Sequence, residues 1–126
     1  MKAPMIFQAL QLAVAFNLVC AGTVRTGPIG LALPEEVGEP IEVTYRIDLG
    51  ARLWCRGDCA NVESIGETAE GHAVLRDSHV ESGGHFIMVA LPAGIFADTE
   101  IVDTTATLRS GRCRREAFGG FPNLTA

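Results

Sequence analysis

From Ile41 to Leu49 apolar and polar residues alternate without a break. Ile41, Val43, Tyr45, Ile47 and Leu49 fall on one face, and Glu42, Thr44, Arg46 and Asp48 on the other. A period of two predicts a half-buried antiparallel strand. Gly50 interrupts it, and Ala51 to Trp54 continues the strand beyond a kink or bulge, with Trp54, the single tryptophan, as core anchor. Upstream, Thr23 to Leu33 is weakly strand-like and broken by Gly27, Pro28 and Gly30, and Pro34 to Pro40 is a polar turn. Downstream, Ala73 to Arg76 makes a short strand, Ser82 to Gly84 a turn, and His85 to Leu91 a central strand with apolar residues on both faces. Pro92-Ala93-Gly94 connects to Ile95 and Phe96, Glu100 to Leu108 forms a further strand, and Arg112 to Phe118 a last one. No stretch carries a convincing helical period. The expected fold class is all-β, a small antiparallel β-sandwich or barrel of about six to seven short strands.

The N-terminus follows a different pattern. Lys2 precedes an apolar run from Met5 to Val19, and Val19-Cys20-Ala21 supplies the short side chains found upstream of a signal-peptidase cut. A membrane-spanning helix needs roughly 20 apolar residues, whereas this run is shorter and carries Gln8, Gln11 and Asn17. Lipid attachment at Cys20 would want a smaller residue than Val19 before it. The pattern predicts a cleaved signal peptide over residues 1–21 and a single β domain over 22–126. The protein is then exported, periplasmic or extracellular, and meets a membrane only through its export signal.

Charge narrows the partners. The chain carries a net charge of −5, becomes more acidic once Lys2 leaves with the signal, and then holds arginine as its only basic residue. Such a domain has no electrostatic footprint for phosphate backbones, which excludes nucleic acid as an expected partner. The local exception is Arg109, Arg112, Arg114 and Arg115. Successive side chains of a strand alternate in direction, so Arg112 and Arg114 point one way and Arg115 the other. The cluster reads as the charged face of an exposed edge strand.

The segment richest in chemistry is Trp54-Cys55-Arg56-Gly57-Asp58-Cys59, with Cys113 as a distant third cysteine. In an exported protein, paired cysteines default to a disulfide. Loss of Cys20 with the signal leaves Cys55, Cys59 and Cys113, hence one bond, one spare thiol and a possible disulfide-linked homodimer. Bridging Cys55 to Cys59 needs a tight reversal, which Gly57 permits, and is worth about 2 kcal/mol by loop closure. Pairing either with Cys113 closes a loop of some sixty residues worth roughly 4 kcal/mol. Both pairings stay open, with Cys55 to Cys59 favoured.

Functional alternatives for this cluster differ in what they require. A thiol oxidoreductase favours two intervening residues and a helix at the first cysteine, whereas here three residues intervene behind a strand. A metal site would recruit His72, His79 or His85, which lack the paired short spacings of zinc ligands; no metal is expected. Arg56-Gly57-Asp58 between two cysteines resembles the constrained tripeptide of disintegrin-type integrin ligands, since a short disulfide loop would hold a guanidinium and a carboxylate on opposite sides of a glycine turn.

Catalytic signals are missing at the level of motifs. Ser64, Ser78, Ser82 and Ser110 lie in no nucleophile elbow, and the pairs Glu35 with Glu36 and Glu67 with Glu70 sit in polar turns. Gly83-Gly84 and Gly119-Gly120 lack the spacing of a phosphate loop and read as turns. Asn123-Leu124-Thr125 fits a glycosylation acceptor. No catalytic residue and no cofactor are assigned.

The succession Tyr45-Arg46-Ile47-Asp48-Leu49, Arg52-Leu53-Trp54-Cys55 with Cys59, Gly111-Arg112-Cys113 and Phe118-Gly119-Gly120-Phe121-Pro122 resembles small uncharacterised exported proteins of proteobacteria. The resemblance spans most of the chain after residue 21, and that group has no assigned activity. It implies that the three cysteines and the Phe-Gly-Gly-Phe-Pro ending belong to the scaffold. Physically, Phe118 and Phe121 could cap one end of the sheet core around the glycine turn. The expected function is a non-catalytic binding or structural role. The alternatives are an adhesive ligand presenting Arg56, Gly57 and Asp58, and third an enzyme of unknown type.

Overall fold

The computed structural model describes residues 14–30, 38–81 and 83–122. Nine strands form one antiparallel sheet: β1 (Ala15–Pro28), β2 (Glu39–Asp48), β3 (Leu53–Arg56), β4 (Glu63–Ser64), β5 (Glu67–Ala69), β6 (His72–Val80), β7 (Gly83–Ala90), β8 (Gly94–Val102) and β9 (Thr105–Ala117). The order is β4-β3-β2-β1-β9-β8-β7-β6-β5. The class is all-β as expected, but the sandwich of six to seven strands is not: one sheet curls into a half-barrel and packs its concave face on itself.

Curling is enforced by chain continuity. The two edge strands, β4 and β5, are consecutive in sequence and separated only by Ile65 and Gly66. Ile65 donates its amide to the Arg52 carbonyl beside β3, while Gly66 donates to Leu75 on β6 (2.9 and 3.3 Å). One short segment therefore belongs to both ends of the sheet and draws them together.

The alternation over Ile41 to Leu49 does produce a strand, with Tyr45 and Ile47 fully buried. Opposite them in register, Leu18 faces Tyr45 and Phe16 faces Ile47. Together with Trp54, Ile65, Ala73, Leu75, Ile87, Val89 and Phe96 they fill the concave side. Tyr45 sits 6.2 Å from the Trp54 ring and 6.0 Å from the Phe96 ring, tilted to both, an arrangement aromatic quadrupoles favour. Trp54 is the core anchor its uniqueness suggested.

Strand β1 departs most from the sequence expectation. The residues assigned to a signal, from Ala15 to Ala21, lie in the middle of the sheet and pair with both β2 and β9. The apolar run that reads as a leader is, over its second half, an alternating strand with Phe16, Leu18 and Cys20 buried. Residues 1–13 lie outside the described residues, as do 31–37, with the expected strand end at Leu33 and most of the Pro34 to Pro40 turn, and the Asn123-Leu124-Thr125 acceptor.

Strand β9 is also corrected. Its arginines mark no edge, because β9 lies between β1 and β8 at the centre of the sheet. Arg109 pairs with Glu100, Arg114 with Glu116, and Arg115 lies 4.0 Å over the Phe16 ring. The expected single strand from Glu100 to Leu108 is two, since Val102 and Thr105 pair across a tight turn at Asp103 (φ 55°). Gly83 and Gly84 likewise sit within β7 rather than in a turn.

At Gly22 and Gly111 the strands β1 and β9 are pressed together. The two glycines face each other in register, and a Cβ on Gly22 would fall 1.9 Å from the Ser110 carbonyl oxygen. Only glycine permits that approach. Finally, the Phe-Gly-Gly-Phe segment caps no core end. Gly119 donates to Asn17 (3.1 Å), Arg46 donates to the Gly120 carbonyl (2.9 Å), and Phe118 meets Phe121 edge-on, which fastens the segment to polar positions of β1 and β2.

Candidate functional site

All four cysteines are bonded. Cys55 pairs with Cys59, as favoured from the sequence, and Cys20 pairs with Cys113, its direct register partner across β1 and β9. The spare thiol expected from three cysteines does not exist in this chain, and the disulfide-linked homodimer loses its chemical basis.

The Cys55–Cys59 loop carries the Arg-Gly-Asp tripeptide. Gly57 turns at φ 65° and donates to the Thr44 carbonyl (2.9 Å), Cys59 donates to Arg56 (3.1 Å), and Asp58 accepts from the Ala60 amide (3.2 Å). The loop aims Arg56 inward, where its guanidinium meets Asp98 of β8 at 2.8 Å. The guanidinium is thus engaged by the scaffold at Asp98, with a third of the Arg56 side chain still exposed.

Asp98 is fully buried and centres a charged lattice on the concave face. Besides Arg56 it binds Arg109 (3.3 Å), which also reaches Glu100 (3.4 Å), and His85 Nε2 (2.7 Å). On its other side His85 Nδ1 lies 2.8 Å from Arg76, whose guanidinium pairs with Glu63 and lies 5.3 Å over the Trp54 ring. Arginine has donors only, so Nδ1 must accept and the single ring proton sits on Nε2, donated to Asp98. Three arginines meet three carboxylates around a neutral histidine, which is how a buried charge avoids a desolvation cost of several kcal/mol.

Tyr45 completes this floor. Burial, reinforced by the negative charge of Asp98, raises its phenol well above the ordinary tyrosine value. Its hydroxyl stays neutral, since the positive charge of Arg56 beside it does not outweigh burial.

A cleft of about 420 Å³ opens at the end of β6, β7 and β8. Phe86, Ile101 and Ile29 give it apolar walls, Ser78, Glu81 and Asp103 give it polar groups, and His85 links it to the lattice. Phe86 is 37% exposed, enough to present ring surface. His79 is engaged by Asp77 at 2.8 Å, whereas Glu81 and Asp103 form no ion pair among the described residues.

Of the residues singled out from sequence, the structure joins Arg56, Arg109 and His85 in one lattice and Cys55 with Cys59 in its supporting loop. His72, His79 and His85 are not gathered with other ligands, and no group of metal-binding side chains occurs among the described residues. Asp98, Glu63 and the cleft carboxylates escaped the sequence. The available signal was Asp98 itself, a carboxylate in register with the apolar Phe96 on a buried strand face. Compared with protein families, curated proteins and solved structures, the chain matches none.

Proposed function

We propose that this chain is an exported, non-catalytic binding domain, and that the cleft between β6, β7 and β8 seats a small organic cation with an apolar body. The observation that carries the proposal is the cleft's lining: the exposed Phe86 ring and Ile101 stand beside Glu81 and Asp103, with no arginine among the described lining residues. A ring face and carboxylates together recognise an ammonium group, and a concave apolar wall with few polar groups is the usual form of a ligand seat.

Two further features support the reading. Both nitrogens of His85 and both oxygens of Asp98 are engaged by protein partners, so the lattice serves as scaffold and offers no free base to a substrate. Two intrachain disulfides agree with an oxidising, extracytoplasmic compartment.

Titration with phenethylammonium, followed through the amide resonances of Glu81, Phe86 and Asp103, tests the seat. Those amides should shift saturably, Phe86→Ala should weaken binding about two- to fivefold, and phenylacetate should leave them in place. Equal responses to the cation and the anion, or none to the cation at millimolar concentration, would overturn the proposal.

A further inference from the structure

The start of β1 bears on where the chain is processed. The strand enters the sheet at Ala15, Val14 before it is exposed, and Phe16 is the first buried side chain. Leu18 and Cys20 follow on the same face, and Cys20 is bonded to Cys113. A cut after Ala21 would delete all three from the core. Only Gly22, Thr23 and Val24 would remain to pair with β2, at the centre of a sheet in whose strand order β1 joins β2 to β9.

The sequence just ahead of Phe16 is Ala13-Val14-Ala15. Small residues at these two alternate positions are what a signal peptidase reads immediately before its scissile bond. Upstream, Lys2 gives the charged segment and Met5 to Leu12 the apolar one, in the required order and within the usual apolar length of about 7 to 15 residues. We propose that signal peptidase hydrolyses the Ala15–Phe16 peptide bond. Water adds across the amide, Ala15 departs with the leader as a carboxylate, and Phe16 acquires the new α-ammonium. The exported domain then starts at its first core residue and keeps every cysteine. This inference rests on the export reading and sharpens it, because a cut here removes a leader, follows the small Ala13 and Ala15, and keeps both Phe16 in the core and the Cys20–Cys113 bond.

The test expresses the full 126-residue chain in a bacterial host and reads the periplasmic product by N-terminal sequencing and unreduced intact mass. The expected product begins at Phe16, contains no alkylatable thiol, and accumulates as precursor in Ala15→Leu but not in Ala21→Leu. An exported, oxidised protein beginning at Gly22, or a block by Ala21→Leu alone, would overturn the cut while leaving export intact. An uncut chain with reduced cysteines in the cytoplasm would overturn both.

Discussion

Replacing Cys20 and Cys113 by alanine should destabilise the domain far more than replacing Cys55 and Cys59. The two bonds span sequence separations of 93 and 4. Loop-closure entropy converts these to about 4.7 and about 2 kcal/mol at 25 °C. Cys20, Cys55 and Cys59 are fully buried and Cys113 only partly, so sulfur packing does not favour the long-range pair and a larger loss from it reports loop length. Unfolding entropy for a domain of this size is about 0.2 kcal/mol per kelvin, which makes the expected falls in Tm about 23 °C and about 10 °C. Thermal and urea unfolding followed by circular dichroism measures both, and Trp54 fluorescence reports loss of the core independently. Equal losses from the two double variants, or a larger loss from the short loop, would refute the assignment of Cys20 to the folded domain's long-range clip.

Two other perturbations probe the concave face. Asp98→Ala leaves Arg56, Arg109 and the His85 Nε2 proton without their shared acceptor and should cost about 3 to 5 kcal/mol in urea unfolding, whereas Glu116→Ala, which removes an exposed partner of Arg114, should change it by less than about 0.5 kcal/mol. The raised phenol of Tyr45 sets an alkaline limit: above the unfolded value near pH 10 the unfolded chain sheds the proton that the folded chain retains, so stability falls as pH rises, and Tyr45→Phe should flatten that fall in equilibrium unfolding measured between pH 9 and 11.

Which parts of this molecule the sequence revealed follows from the range of the interactions involved. The β2 strand was legible because its alternation is local and one-sided, and the Cys55–Cys59 bond because Gly57 sits between nearby partners. Strand β1 is hard to read because its first half is apolar on nearly every position, a pattern common to a leader and to a strand buried at the centre of a sheet. Read as a leader, the segment takes Cys20 out of account and hides its pairing with Cys113. The hairpin at Asp103 was hidden because a single aspartate between Val102 and Thr104 is the one turn signal in a run otherwise made of strand-compatible residues. The lattice left little in the sequence: Arg56, Glu63, Arg76, His85, Asp98 and Arg109 come from six strands, and only the curling of the sheet makes them neighbours. Charged residues in register with apolar ones on a strand face were the trace it left.

The junction of β4 and β5 bears on how this sheet meets other chains. A sheet ordinarily ends in two rows of unpaired amides and carbonyls that a neighbouring chain can extend into an aggregate. Here the terminal strands are two and three residues long and adjoin through Ile65 and Gly66, with Glu63 held by Arg76 from the opposite end. At this seam the two borders meet and shield each other, whereas the outer sides of residues 39–43 in β2 and 76–80 in β6 have no strand partner among the described residues. The seam thereby confines any edge-to-edge pairing with a second molecule to those two half-strands, and lengthening the two-residue linker would add the seam itself to the exposed border.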